Sequence, residues 1–166
     1  VLVPKNHPRI ALRGKIDTAI CLCVEAQCVL QEQPLFITHA MSDIRSYLGQ
    51  LLKSEVTGEP LSLPSFGDID SEIIHKWSHN PLKYLGYDHM LPEAKFGLDV
   101  AKLNTLRASI RELELQASRV FIDISMRLER EDIVAGLNRL SSAVYVVMIL
   151  VWQCKNGNES VLERLK

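Results

Sequence analysis

Apolar residues recur along this chain at three- and four-residue intervals, in runs set apart by proline and glycine. From about Arg9 to Gln33 there is no proline, and Ile16, Ile20, Val24 and Cys28 follow at one-turn spacing, which predicts a first helix closed by Pro34. From about Leu35 to Glu55, Ile37, Met41, Ile44, Leu48 and Leu51 or Leu52 trace a second stripe. Thr57 to Gly67 reads TGEPLSLPSFG, which is loop chemistry. A short helix from about Asp70 to His79 follows, because Asp68 or Asp70 can cap its free N–H groups and Pro81 stops it. The next stretch, NPLKYLGYDHMLPEAKFG, is rich in aromatics and turn formers and reads as an ordered loop.

From about Leu98 to Leu128 there is neither proline nor glycine. Leu103, Leu106, Ile110, Leu113, Ala117 and Val120 or Phe121 share one face, predicting a long helix of about 45 Å at 1.5 Å per residue. A last large helix from about Glu131 to Gln153 opens on acidic residues that suit its dipole and carries Ile133, Leu137, Leu140, Val144, Val147 and Val151. Its second half is apolar nearly all round, so it belongs at the centre or against another subunit. Asn158 is placed to cap a final short helix with Val161, Leu162 and Leu165. Nothing alternates at period two. The pattern predicts an all-α helical bundle forming one domain over residues 1–166.

Charge narrows the function. Nineteen basic and 20 acidic residues leave a net charge of −1, which excludes electrostatic nucleic-acid binding as a main role. The longest unbroken apolar stretch, Ala143 to Trp152, is about half of the roughly 20 residues a bilayer needs, so no membrane span is expected. Cys21, Cys23, Cys28 and Cys154 form no C-x-x-C pair and read as reduced, packed residues, which fits a cytoplasmic protein. The chain opens on Val1 rather than Met and is expected to be the C-terminal part of a longer one.

Several constellations could carry chemistry. On the long helix Arg107, Arg111 and Glu114 stand at i, i+4 and i+7, with Asn104 on the same face. The line could meet a polyanion, or be solvated surface with an internal Arg111–Glu114 pair. Asn138, Ser142 and Tyr145 form a similar polar line on the last helix. Asp17 follows Arg13 by four residues and either pairs with it on the surface or takes a partner from elsewhere. His75 and His79 are spaced to share a metal, but Lys76 stands where a zinc protease has glutamate; hydrogen-bonded histidines organising the aromatic loop are the alternative.

The segment PKNHPRIALRGKIDTAI, Pro4 to Ile20, resembles the signature of the propanediol-utilization class of ATP:corrinoid adenosyltransferases. HKWSHNPLKYLGYDHMLPEAKF, His75 to Phe96, is more similar to the ethanolamine-utilization class, and LNTLRASIRELE and LNRLSSAVYVVMIL continue that similarity. The resemblance implies five main helices, a homotrimer with active sites between subunits, and transfer of the 5′-deoxyadenosyl group of ATP, with Mg2+, to the cobalt of reduced cobalamin. It implies that Lys5 contacts phosphate, that Arg9, the Arg after the Pro, also belongs to the cofactor site, that Asp17 pairs with Arg107 across the subunit boundary, that Arg111 and Glu114 lie at the nucleotide, and that Asn138 binds there with Arg139 at the same interface. In that setting Arg111, Asp17 and Arg107 carry the catalysis, with Arg111 foremost. Tyr87, His89 and Phe96, with Trp77 and Tyr84, would face the corrinoid. Ethanolamine ammonia-lyase or its reactivation system becomes the expected partner, in the cytoplasm or a bacterial microcompartment.

Three departures from the two classes stand out. The propanediol-type Gly-rich triphosphate segment does not occur in this sequence. The metal-binding histidine and cysteines of the ethanolamine class lie upstream of the matched region, so a divalent metal would come through such a segment. His89 stands near where the propanediol class has the aromatic that displaces the lower corrinoid ligand; a histidine can itself coordinate cobalt, so either that role passes to Met90, Tyr87 or Phe96 or the axial chemistry differs. The alternative to a transferase is a helical bundle that binds corrinoid, or stabilises an assembly, without transferring anything.

Overall fold

The computed structural model describes residues 4–163. Its order is α1 (Pro8–Val29), α2 (Leu35–Thr57), α3 (Ser71–His79), α4 (Pro81–Leu85), a single 3₁₀ turn (Ala94–Phe96), α5 (Leu98–Val120), α6 (Glu131–Lys155) and α7 (Ser160–Glu163). The protein is all-α, and among the described residues the only bridges are the isolated pairs Phe66–Ile69 and Ile122–Leu128.

Each boundary has a local cause. His7 caps α1, its Nδ1 accepting from the Arg9 amide, and Pro8 fills the first turn where no N–H is needed. The helix ends at Val29, short of the predicted Gln33, because the Leu30 amide folds back to the Gln27 carbonyl. Gly58, at φ 79°, closes α2 in the left-handed conformation that glycine takes without strain. Asp70 caps α3. Asn80 and Pro81 then start α4 inside the stretch read from sequence as loop.

The largest departure is α5. It runs about 35 Å and stops at Val120, not Leu128. Asp123 accepts from the amides of Ser125 and Arg127 and builds a tight turn, with Met126 at φ 62°. Aspartate wins here because its carboxylate satisfies backbone donors locally and so competes with helix continuation.

Helix α6 is the axis of the body, packing against α5, α3 and α2, while α1 joins α5 to α2. Its second half is buried on nearly every side, with Val144 and the run Val146 to Val151 fully covered. It is long and apolar enough to cross a membrane, and that apolar stretch forms the core. Gly136 marks the close approach of α6 to α2: a Cβ there would fall 2.2 Å from the Tyr47 hydroxyl, which donates to the Ser62 carbonyl.

Candidate functional site

Helix α5 turns Leu103, Leu106, Ile110, Leu113 and Ala117 to the core. At about 100° per residue, Lys102 and Glu112 fall on one edge, where they pair with Glu25 and Lys15 of α1. Arg107, Arg111 and Glu114 fall on the other edge, toward α3 and α6. There Ser78 and His79 of α3, Arg107 and Arg111 of α5, and Ser141, Ser142 and Tyr145 of α6 enclose a cleft of about 200 Å³. Arg111 also borders a second hollow of about 450 Å³ that includes Glu114 and Val134.

The charge in this cleft is unbalanced. Arg107 donates to Asn104 at 3.0 Å, and Glu114 accepts from Asn138 at 3.0 Å instead of pairing with Arg111. Among the described residues no carboxylate forms an ion pair with either arginine. Burial, then the charge of Arg111, hold the Arg107 guanidinium below its usual pKa. Burial raises the Tyr145 phenol. Two guanidiniums one turn apart, with hydroxyls and an amide beside them, make a receptor for a polyanion. A hollow of about 480 Å³ elsewhere is lined by Phe36, Phe66, Asp43 and Asp68; its carboxylates repel such a ligand.

The aromatic stretch is tied to α6. Gln153 donates to the Leu85 carbonyl at 2.9 Å, the Met90 amide donates to the Tyr145 hydroxyl at 2.7 Å, and Lys155 donates to the Phe96 carbonyl at 2.8 Å. Phe96 is only 2% exposed, edge-on to Trp152 and Tyr87, and Trp77 and Met90 are also buried. All three side chains complete the core, so Trp77 and Phe96 do not present the open apolar surface expected of them. Tyr87 is half-buried and His89 exposed, its amide donating to Asp88. Leu82, Tyr84, Leu91 and Leu98 supply the exposed apolar surface of this region instead.

Other expected residues are placed differently from the cleft. Lys5 is exposed just before α1. Asp17 is exposed, without an ion pair among the described residues. Arg13 does not reach it, because Arg13 and Arg9 both turn to Glu55 at the end of α2. Glu55 is fully buried, and sequence reading had no role for it. Its signal was a carboxylate continuing the apolar stripe Ile44, Leu48, Leu51. Arg139 keeps its Nε and Nη1 buried and without a partner among the described residues.

The His75 and His79 rings lie 4.0 Å apart, with His79 Nδ1 against the His75 carbonyl and the Ser78 hydroxyl. Loss of solvent contact, then the charges of His79 and Arg139, hold His75 below its usual pKa. Among the described residues no set of three His, Cys, Asp or Glu could hold a metal, so this pair does not fit a metal centre alone. Cys23 is buried, its thiol pushed up to about 12 by burial, and Cys154 is half-buried against the core; Cys21 and Cys28, expected to be packed, are exposed.

The body is an all-helical protein with two arginines, unpaired by any carboxylate among the described residues, where α3, α5 and α6 meet. Comparison with known proteins sharpens this class. The chain belongs to the cobalamin adenosyltransferase family, whose model matches residues 1–151. It is 44% identical over 151 residues to the corrinoid adenosyltransferase EutT of Escherichia coli (strain K12), and equally to that of Salmonella typhimurium (strain LT2). The match covers 90% of this chain and 55% of each relative, so the chain spans about half the length of the curated relatives it matches. No solved structure matches it.

Proposed function

We propose that this chain forms the part of a corrinoid adenosyltransferase that binds ATP and aligns it with reduced cobalamin. The observation that carries the reading is the line Arg107, Arg111, Glu114–Asn138, cationic and without a pairing carboxylate in a family that handles a nucleotide and a corrinoid. In the reaction the Co(I) electron pair forms a bond to the ribose 5′ carbon. The C5′–O5′ bond breaks, and triphosphate leaves with its electron pair.

The arginines stabilise the charge that grows on the leaving oxygens, with donors already fixed on a rigid helix. Lys5 and Arg9 extend the phosphate contacts, and Mg2+ would enter with the nucleotide and offset part of its charge. The Glu114–Asn138 pair orients the ribose. The corrin ring, a large and mostly apolar plate, rests against the region of Tyr87, His89 and the exposed Leu82, Tyr84 and Leu91.

A homotrimer belongs to this reading, with a neighbouring subunit closing the open cleft and the hollow that adjoins it at Arg111. Asp17 then reaches Arg107 of the next copy. The five-helix body of the class corresponds to α1, α2, α3, α5 and α6. A divalent metal would be held by residues outside this chain, and no step here runs through it. The ethanolamine-utilization resemblance assigns the adenosylcobalamin product to ethanolamine ammonia-lyase, in the cytoplasm or a microcompartment.

The test is ATP-dependent alkylation of cob(I)alamin, followed in visible absorption with the chain in its full reading frame. Formation of adenosylcobalamin with equimolar triphosphate supports the transferase. Tight corrinoid binding without alkylation would make it a binding bundle.

A further inference from the structure

We propose that Tyr145 is a positioning residue that couples the arginine cleft to the loop carrying Tyr87 and His89. The inference rests on the adenosyltransferase reading for the identity of its ligands. Its geometry stands apart from that reading.

Three hydrogen bonds hold residues 85–96 to α6, and they are not equivalent. Those from Gln153 to Leu85 and from Lys155 to Phe96 fix the two ends of the segment. They lie about 12 to 15 Å farther along α6 than Tyr145, at 1.5 Å per residue. The middle one, from the Met90 amide to the Tyr145 hydroxyl at 2.7 Å, holds the centre of the loop. Tyr145 alone among these anchors also lines the cleft with Arg107 and Arg111.

A phenol accepts at its oxygen and donates one proton. Met90 uses an acceptor position, while no acceptor among the described residues takes the Tyr145 proton. That proton is free for an oxygen held in the cleft, and the neighbouring arginine charge selects an anionic one. Donation makes the phenol oxygen a better acceptor, so an occupied cleft tightens the bond to Met90. Met90 is 4% exposed, whereas His89 and Leu91 on either side are open to solvent. Fixing the Met90 amide therefore fixes the direction in which its neighbours meet the second substrate. The oxygen on the nucleotide is a phosphate or a ribose oxygen, and inorganic triphosphate distinguishes the two.

The experiment measures hydrogen exchange at the Met90 amide with and without ATP or inorganic triphosphate, in the wild type and in Tyr145→Phe. In the wild type ATP should slow exchange by about tenfold, the effect of strengthening one hydrogen bond, and the variant should show no ATP effect. Triphosphate acting like ATP points to a phosphate oxygen; ATP acting alone points to the ribose. In turnover, Tyr145→Phe should raise KM for ATP by about tenfold, for the donor lost to the nucleotide oxygen, and KM for cob(I)alamin should rise with it while kcat stays within about threefold. A merely structural tyrosine would instead lower stability and kcat and leave both KM values near those of the wild type. Unchanged Met90 exchange in wild-type protein saturated with ATP overturns the coupling and leaves adenosyl transfer intact. Protection at Met90 in protein that transfers nothing would sink the transferase reading and uphold the coupling.

Discussion

Arg9 donates from Nε to the Glu55 carboxylate at 2.6 Å, across 46 residues of chain, and Arg13 donates to the other oxygen. Glu55 is wholly buried, and each of its carboxylate oxygens is taken by a guanidinium, the pairing that a buried carboxylate requires. The Arg9 head is thereby fixed beside Phe121 at the start of the bundle. Glu55→Gln should cost about 2–4 kcal/mol in urea denaturation, because it leaves two cations facing one neutral amide. It should also raise KM for ATP more than KM for corrinoid, since Arg9 loses its rotamer. Equal stability of variant and wild type would show that the arginines re-solvate freely.

Asp17 and Arg107 cannot meet within one protomer. Lys15 faces α5, and Asp17 lies about 200° around α1 from it, while Arg107 lies on the edge of α5 turned to α3 and α6. Their pairing requires a neighbour. Analytical ultracentrifugation should show a trimer, and Asp17→Asn should weaken assembly or ATP binding by roughly 10- to 100-fold, the scale of one lost charged pair. A monomer at all concentrations with normal turnover would eliminate the shared site.

Arg111 stands where the cleft and the adjoining hollow meet, and among the described residues it has no ion-pair partner. Arg111→Lys keeps the charge but loses the planar fork. Turnover should fall by roughly 10- to 1000-fold, as for single donors to developing oxyanions. Steady-state rates with cob(I)alamin and ATP check this, and near-normal rates in both Arg111→Lys and Arg111→Ala would reduce the line to solvated surface.

Stability should also depend on acid. Arg130 grips Asp132 with two hydrogen bonds at 2.9 Å and the Leu61 amide adds a third, and the Arg130 bonds foremost hold the Asp132 carboxyl down to about 2 from 3.8. The unfolded chain takes up this proton at higher pH than the folded one. The interaction, worth about 2 kcal/mol, is therefore complete above about pH 4 and lost as pH falls toward 2. Urea midpoints at pH 7, 4 and 2.5 should drop over the last interval in the wild type and drop less in Asp132→Asn.

Sequence by itself determined the helices and their buried faces. The stripe on α5, the apolar second half of α6 and the cap at Asp70 are local or periodic facts, and a regular helix turns spacing directly into direction. It also brought Arg107, Arg111, Glu114 and Asn138 into view, because residues three and four apart share a face. Tertiary structure alone decided which partner each polar group takes. Glu114 turned to Asn138 on another helix rather than to Arg111 on its own, and Arg13 to Glu55 rather than to Asp17. It also decided which large apolar residues of this stretch are core: Trp77 and Phe96 are covered, while Leu82 and Leu91 are not. The end of α5 escaped its periodicity on a local ground rather than a tertiary one. Nothing in its periodicity distinguishes Val120 from Leu128 until Asp123 satisfies the backbone locally and the chain turns back. Spacing fixes which way a side chain points, but a hydrogen bond or an ion pair is a choice among neighbours, and neighbours distant in sequence exist only once the chain has packed.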